Sequence, residues 1–412
     1  MGCSSSILIT KPNVLAKQNQ IHSKSKSLLD ICQSGDLAHA IELVQRSKFS
    51  EINKADWSTG DTPLHLATSH GFIDIVRVLL EHGAVRNISN YQNKLPATYA
   101  TTNEMKQLFQ RSLDDSFARF ISTNAADEFI YCQKSLDATQ FYMEFESEMS
   151  FSGQWDIIQT VDILRKVSQL QKISQSDIIW YFFDQAREKT DVKYLIRAHT
   201  VESKFSKILN RKLIQRHLTK TNHDTDENRQ IQILMQNTMS IFNQRLSKSQ
   251  TQARSSIDNS QITDWIHRYL GTIHSLIYQV HFPFEGQTYR GMWMKKDKLI
   301  SYSKSQFYLC NKTLISTSTN YQFIKDLLDK SPPLTGYLPV ICTYVIDSST
   351  SFKAIDIHKI SEYPDENEVL IFPGVPFEIR KIHFNSTTNL IEIELISTLS
   401  DFGNFQKMFS IE

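Results

Sequence analysis

Two stretches of this chain match at a fixed separation, and that limits its fold more than any other feature. Gly60-Asp61-Thr62-Pro63-Leu64-His65-Leu66-Ala67 is followed by Gly71, then by Ile75-Val76-Arg77-Val78-Leu79-Leu80 and Gly83-Ala84. Pro96 lies 33 residues after Pro63, and Ala100 lies 33 after Ala67, within the weaker copy Lys94-Leu95-Pro96-Ala97-Thr98-Tyr99-Ala100. A partial earlier copy runs Leu28-Leu29-Asp30-Ile31-Cys32, Gly35 and Ile41-Glu42-Leu43-Val44. Each unit reads as helix, tight turn, helix. Thr62-Pro63 starts the first helix, because proline suits the first turn. Gly71 permits the turn, and Leu79 and Leu80 face the neighbouring unit. Such a unit cannot bury its apolar face alone, so the copies must stack.

The Thr-Pro-Leu-His-x-Ala core resembles the ankyrin repeat, and residues 26–110 are assigned to it. The resemblance implies an all-α surface that binds a protein partner and does no chemistry. Two and a half to three copies is close to the minimum for stability, so bracing the rest of the chain is the competing role. His65 is expected to hydrogen-bond within a turn rather than act as a ligand or base.

Before the repeats, residues 1–25 read as a flexible segment. Met1-Gly2-Cys3-Ser4-Ser5-Ser6 fits the N-myristoylation pattern once Met1 is removed, with Cys3 placed for palmitoylation. One acyl chain holds weakly and needs a second signal. Lys11, Lys17, Lys24 and Lys26 all precede the first acidic residue, Asp30, and each is worth about 1 kcal/mol near an anionic leaflet. The expectation is a cytoplasmic protein attached to the inner face of a membrane. No run of about 18 apolar residues suggests a transmembrane helix, and the apolar core of a signal peptide is missing. Lys plus Arg is 45 against 44 for Asp plus Glu, so no overall field draws nucleic acid. The five cysteines are scattered and read as reduced thiols. No Cys/His spacing suits a metal.

Residues 111–170 read as a helical connector without a motif. Phe117, Phe120 and Phe129 suggest core contacts, and Asp156 to Gln171 an amphipathic helix. Helices are expected again from Tyr194 through Arg197 and His199 to Leu213, and from Trp265 to Ile277. The Gln/Asn/Ser/Thr-rich stretches 219–229 and 244–262 read as loops flanking a capped helix. After residue 285 the pattern shortens to β segments: Thr288–Gly291, Leu314–Ser318, Val340–Ile346, Val369–Phe372, Phe377–His383 and Leu390–Leu395. A helical lobe followed by a β lobe makes residues 171–412 an α+β domain, and the whole chain multidomain.

Polar residues stand at the ends of these segments: Arg290 in Gln287-Thr288-Tyr289-Arg290-Gly291, Ser316 in Leu314-Ile315-Ser316-Thr317-Ser318, and Glu366 and Glu368 in Asp365-Glu366-Asn367-Glu368-Val369-Leu370-Ile371. Each motif alone is ordinary surface or loop text. Together and in order, over residues 170 to 400, they resemble the arginine-specific mono-ADP-ribosyltransferases, whose signature is Arg, Ser-Thr-Ser and Glu-x-Glu. Phe372-Pro373-Gly374 departs from the paired prolines common in that family.

The resemblance implies transfer of ADP-ribose from NAD⁺, as co-substrate and without a metal, to arginine side chains of target proteins. It implies that Glu368 stabilises the cation forming on the ribose and bonds its 2′-OH. Glu366 orients and deprotonates the acceptor arginine, and Ser316 holds Glu368 and the nicotinamide ribose. Residue chemistry agrees. A guanidinium pairs well with a diphosphate, which suits Arg290, with Gly291 leaving room for close approach. Breaking the nicotinamide–ribose bond resembles glycoside hydrolysis, where carboxylates serve. If the Glu-x-Glu stretch is extended, both carboxylates lie on one side. Thr317 and Ser318 are expected to support the turn, and Phe323 and Trp293 to pack in the core. NAD⁺ against NADP⁺ is left open. The competing readings are an NAD⁺ glycohydrolase and a membrane-tethered ankyrin adaptor with an inactive lobe.

Overall fold

The computed structural model describes residues 26–123, 128–132, 156–174, 177–220, 265–280, 283–296, 308–347, 354–386 and 388–398, with positions 138, 142 and 299 between them. The proposed lipidation residues Gly2 and Cys3, and the stretches 221–229 and 244–262, lie outside the described residues.

Paired helices open the chain: α1 (Leu28–Ser34), α2 (Leu37–Arg46), the short α3 (Phe49–Ile52), α4 (Pro63–Ser69), α5 (Ile73–Glu81), a 3₁₀ turn (Pro96–Tyr99) and α6 (Asn103–Phe109). Their apolar faces form one core that includes Ile31, Ala40, Val44, Leu64, Ala67, Ile75, Leu79 and Met105. Local chemistry sets each unit. Pro63 sits in the first turn of α4, and Thr62 N donates to His65 Nδ1 at 3.0 Å. His65 Nε2 meets Lys94 O at 3.1 Å, tying one repeat to the next. His65 is thus the structural turn residue it was expected to be, and its burial disfavours the charged ring. Gly71 adopts φ +76°, which an L-residue rarely does.

The helical lobe follows in pieces: α7 (Leu113–Phe120), α8 (Ile157–Lys166), α9 (Ile178–Lys189), α10 (Lys193–Thr200), α11 (Lys204–Lys220) and α12 (Trp265–Val280). Phe182, Phe183, Leu195, Ile196, Phe205 and Tyr269 fill its core, joined by Leu370 and Phe372 from the β lobe and Val85 from the repeats. Each such side chain contributes about 1.5–3 kcal/mol on burial. The helix expected over 156–171 ends at Lys166 and gives way to turns.

Ten strands form one mixed sheet among the described residues: β1 (Ile121–Ser122), β2 (Phe129–Cys132), β3 (Gly286–Lys295), β4 (Tyr308–Asn311), β5 (Ile315–Ser318), β6 (Tyr337–Ile346), β7 (Ala354–Asp356), β8 (Glu368–Ile371), β9 (Pro376–Asn385) and β10 (Leu390–Ser397), with helix α13 (Tyr321–Lys330) after β5. The order is β2-β4-β9-β10-β6-β3-β5-β8-β7, and β1 pairs with β3. β1–β3 and β10–β6 are parallel. So the α+β arrangement holds, but the stretch 111–170 differs from a purely helical connector. Ile121-Ser122 and Phe129–Cys132 enter the sheet, because Phe120 and Phe129 are buried at its surface.

Candidate active site

A buried guanidinium must spend its donors on nearby acceptors, and Arg290 on β3 is only 5% exposed. β3 and β5 share a single register position, Tyr289 with Ser318. The Arg290 side chain reaches across to β5, where Nη1 donates to Ser316 O at 2.7 Å, and to the end of α7, where it donates to Arg119 O at 2.6 Å. Its Nη2 pairs with Glu128 at 3.0 Å. The space beside Gly291 is already filled: a Cβ there would meet Ile121 Cδ1 at 2.3 Å. That glycine accommodates β1, not the close approach of a ligand.

β5 and β8 are antiparallel, with Ser318 opposite Glu368 and Ser316 opposite Leu370. Alternation therefore puts Ser316, Ser318 and Glu368 on one face. The residue directly across from Glu368 is Ser318, with Ser316 two positions along on the same face. Ser318 Oγ donates to Glu366 O at 2.6 Å and accepts from Asn320 N at 3.0 Å, as a turn support does. On the other face, Thr288 Oγ1 donates to Thr317 Oγ1 at 2.7 Å, and Thr317 Oγ1 donates to Val369 O at 2.9 Å. These bonds lock β3, β5 and β8 together.

Glu366 is not in extended backbone, and this corrects the expectation. Pro364–Glu366 forms a 3₁₀ turn, and Asn367 takes φ 46° before β8 begins at Glu368. Pro364 fixes φ for the turn, and asparagine tolerates the left-handed region better than most residues. Both carboxylates are buried all the same, Glu366 at 2% and Glu368 at 0% exposure.

Each buried carboxylate meets an arginine from the segment after the repeats, which sequence reasoning did not single out. Arg111 Nε and Nη2 donate to the two oxygens of Glu366 at 2.8 and 3.0 Å, and its guanidinium lies 4.0 Å from the centroid of the Tyr363 ring. Arg119 Nε donates to Glu368 Oε1 at 2.8 Å, its Nη2 lies 2.8 Å from the same oxygen, and its Nη1 donates to His199 O at 3.0 Å. These partners are 255 and 249 residues apart in sequence, so no local signal exposes them. Burial pushes the Glu366 carboxyl up, opposed by the Arg111 charge and reinforced by Glu368. Burial, and then Arg119 and Arg111, hold the His199 ring neutral.

Buried Arg119 Nη2, Glu128 Oε2 and His199 Nδ1 have no hydrogen-bond partner among the described residues, and neither do two further atoms of the site, Glu368 Oε2 and Arg290 Nε. One is an acceptor beside a carboxylate charge, the other a donor on a guanidinium. A sugar hydroxyl and a phosphoryl oxygen are the groups that would satisfy them. Trp293 and Phe323 pack in the core, as expected. Trp293 Nε1 donates to Ser331 Oγ at 2.9 Å, and Phe323 stands edge-on to Phe120 with centroids 5.3 Å apart. The four described cysteines, Cys32, Cys132, Cys310 and Cys342, are buried and form no disulfide with one another.

A family model of ankyrin repeats in three copies matches residues 28–111. The ankyrin repeat-containing protein F37A4.4 of Caenorhabditis elegans is 28% identical over 99 residues, which is 23% of this chain and 8% of that relative. Among solved structures, the Vis toxin, an ADP-ribosyltransferase from Vibrio splendidus, aligns at 16% identity over 65% of this chain and 88% of its own, with a TM-score of 0.32. The type III effector XopAI from Xanthomonas axonopodis pv. citri aligns at 13% identity over 65% and 95%, with a TM-score of 0.32. The ADP-ribosyltransferase HopU1 of Pseudomonas syringae pv. tomato aligns at 15% identity over 36% and 60%, with a TM-score of 0.27.

Proposed function

We propose that this chain transfers ADP-ribose from NAD⁺ to arginine side chains of target proteins and releases nicotinamide. The observation that carries the reading is the pair of buried carboxylates at the mouth of β8, one of which, Glu368, keeps an oxygen without a partner. Burying two acids two residues apart costs stability unless a cation or a reaction needs them.

The positions support a role for each group. Glu368 Oε2 accepts from the ribose 2′-OH and faces the positive charge that develops as the bond from C1′ to nicotinamide breaks. Nicotinamide leaves with the bonding pair. A guanidinium nitrogen of the acceptor then bonds to C1′, and its proton passes to Glu366. The raised affinity of Glu366 for a proton, caused first by burial, suits it to that task. Arg290 Nε would face the diphosphate, while its other donors hold the strand ends.

Glu366→Gln tests the acceptor assignment. Its transfer to agmatine, a small guanidino acceptor, is expected to fall about 100-fold, while release of nicotinamide to water is largely kept. Both rates falling together would count against the role of Glu366.

We further propose that acylation at Gly2, with Cys3 or the nearby lysines as the second signal, holds the chain at the cytosolic face of a membrane, and that the repeats bind a protein partner there. A Gly2→Ala chain is expected to move from the membrane fraction to the soluble one. Undiminished membrane recovery of that variant would refute the anchor.

A further inference from the structure

The buried guanidinium on Glu366 belongs to the chain itself. α6, the last helix of the repeats, ends at Phe109, two residues before Arg111. The Arg111 fork meets both carboxylate oxygens side-on, which is how a carboxylate grips any free guanidinium. In the reading above, Glu366 is the group that takes the acceptor arginine. We propose that Arg111 is an intramolecular ligand of that acceptor subsite, so that arginine substrates compete with the chain's own repeat domain. This inference rests on the proposed function for the identity of the subsite.

Arg111 and Arg119 differ in what moving them requires. Arg119 is fixed by its neighbours: Phe120 is fully buried, and Ile121 pairs with Gly291. It also contacts Glu368 through one oxygen only. It therefore orients Glu368 while leaving Oε2 open. Arg111 is tied to the repeats, so it leaves Glu366 only if they shift. Their hold on the loop that carries Glu366 is largely polar, with Arg86 also lying over the Tyr363 ring at 5.0 Å from its centroid and Val85 buried in the core of the helical lobe. Asn87 Nδ2 donates to Lys359 O at 2.9 Å and Ser361 O at 2.6 Å, and Arg86 N donates to Glu362 at 2.8 Å. Beside these bonds, a cleft of about 260 Å³ parts Leu95, Lys106 and Phe109 from Pro364 and Asp365. A protein that binds the repeats and draws them from this loop withdraws Arg111 with them, and so couples partner binding to acceptor access.

The test is calorimetric titration of the full chain with agmatine, using native protein, Arg111→Ala and Arg111→Lys. If Arg111 leaves the subsite open about a tenth of the time or less, Arg111→Ala tightens agmatine binding about tenfold or more. Arg111→Lys keeps the cation but loses the fork, so it gives an intermediate gain and decides the matter should the alanine variant fail to fold. Label from NAD⁺ on Arg111 of the native chain would also place that side chain in the acceptor position. Unchanged or weaker agmatine binding in folded Arg111 variants overturns the proposal. Tighter binding without turnover of NAD⁺ in any variant would keep Arg111 as the competitor for a guanidinium site at Glu366 and remove the transferase reading of that site instead.

Discussion

Replacing Arg290 with alanine is expected to lower the free energy of unfolding by about 3–5 kcal/mol and to abolish transfer. The stability loss follows from what its guanidinium joins. Nη1 ties Arg119 O to Ser316 O, and Nη2 neutralises Glu128. Removing one partner of a buried ion pair strands the other, which costs about 3–5 kcal/mol. Two carbonyls also lose a charged donor, which sets the loss toward the upper end of that range. Urea denaturation would register this as a lower midpoint with an unchanged slope. Arg290→Lys restores the charge without the fork, so it should recover part of the stability and little of the NAD⁺ affinity. A midpoint unchanged in Arg290→Ala would show that the three bonds hold nothing together.

Glu368→Gln should lower the transfer rate by about 10²–10³-fold, the usual effect of removing one group aimed at developing charge. The amide keeps an oxygen that can accept from the ribose 2′-OH, so NAD⁺ affinity changes much less than the rate. Glutamine is nearly isosteric, but it loses the charge that Arg119 meets at 2.8 Å, so some stability falls too. Comparing rate with NAD⁺ binding separates the two effects. Equal losses in both would make Glu368 a binding and structural group only.

The parts of the fold that sequence predicted are those set by neighbours in sequence. β3, β6, β8, β9 and β10 lie where runs of branched and aromatic residues placed strands, and the repeat units lie where Pro63, His65 and Gly71 fix their turns. β1 and β7 are only two and three residues long, too short to show a period. Arg290, Ser316, Glu366 and Glu368 do gather around β5 and the start of β8. Their details depended on distant choices. The pairing of β5 with β8 puts Ser318 directly across from Glu368 and Ser316 across from Leu370. The turn at Pro364 takes Glu366 out of the strand. Arg111 and Arg119 stand in a stretch with no motif: the packing of the repeats brings Arg111 to Glu366, and the pairing of β1 with β3 brings Arg119 to Glu368.

The most direct measurement follows labelled NAD⁺ with the full chain, native and Glu368→Gln, while agmatine is raised until it outcompetes Arg111. The account predicts labelled agmatine from the native chain, increasing with agmatine concentration, and almost none from the variant. Equal labelling by both proteins, or no transfer from the native chain at saturating agmatine, would contradict it.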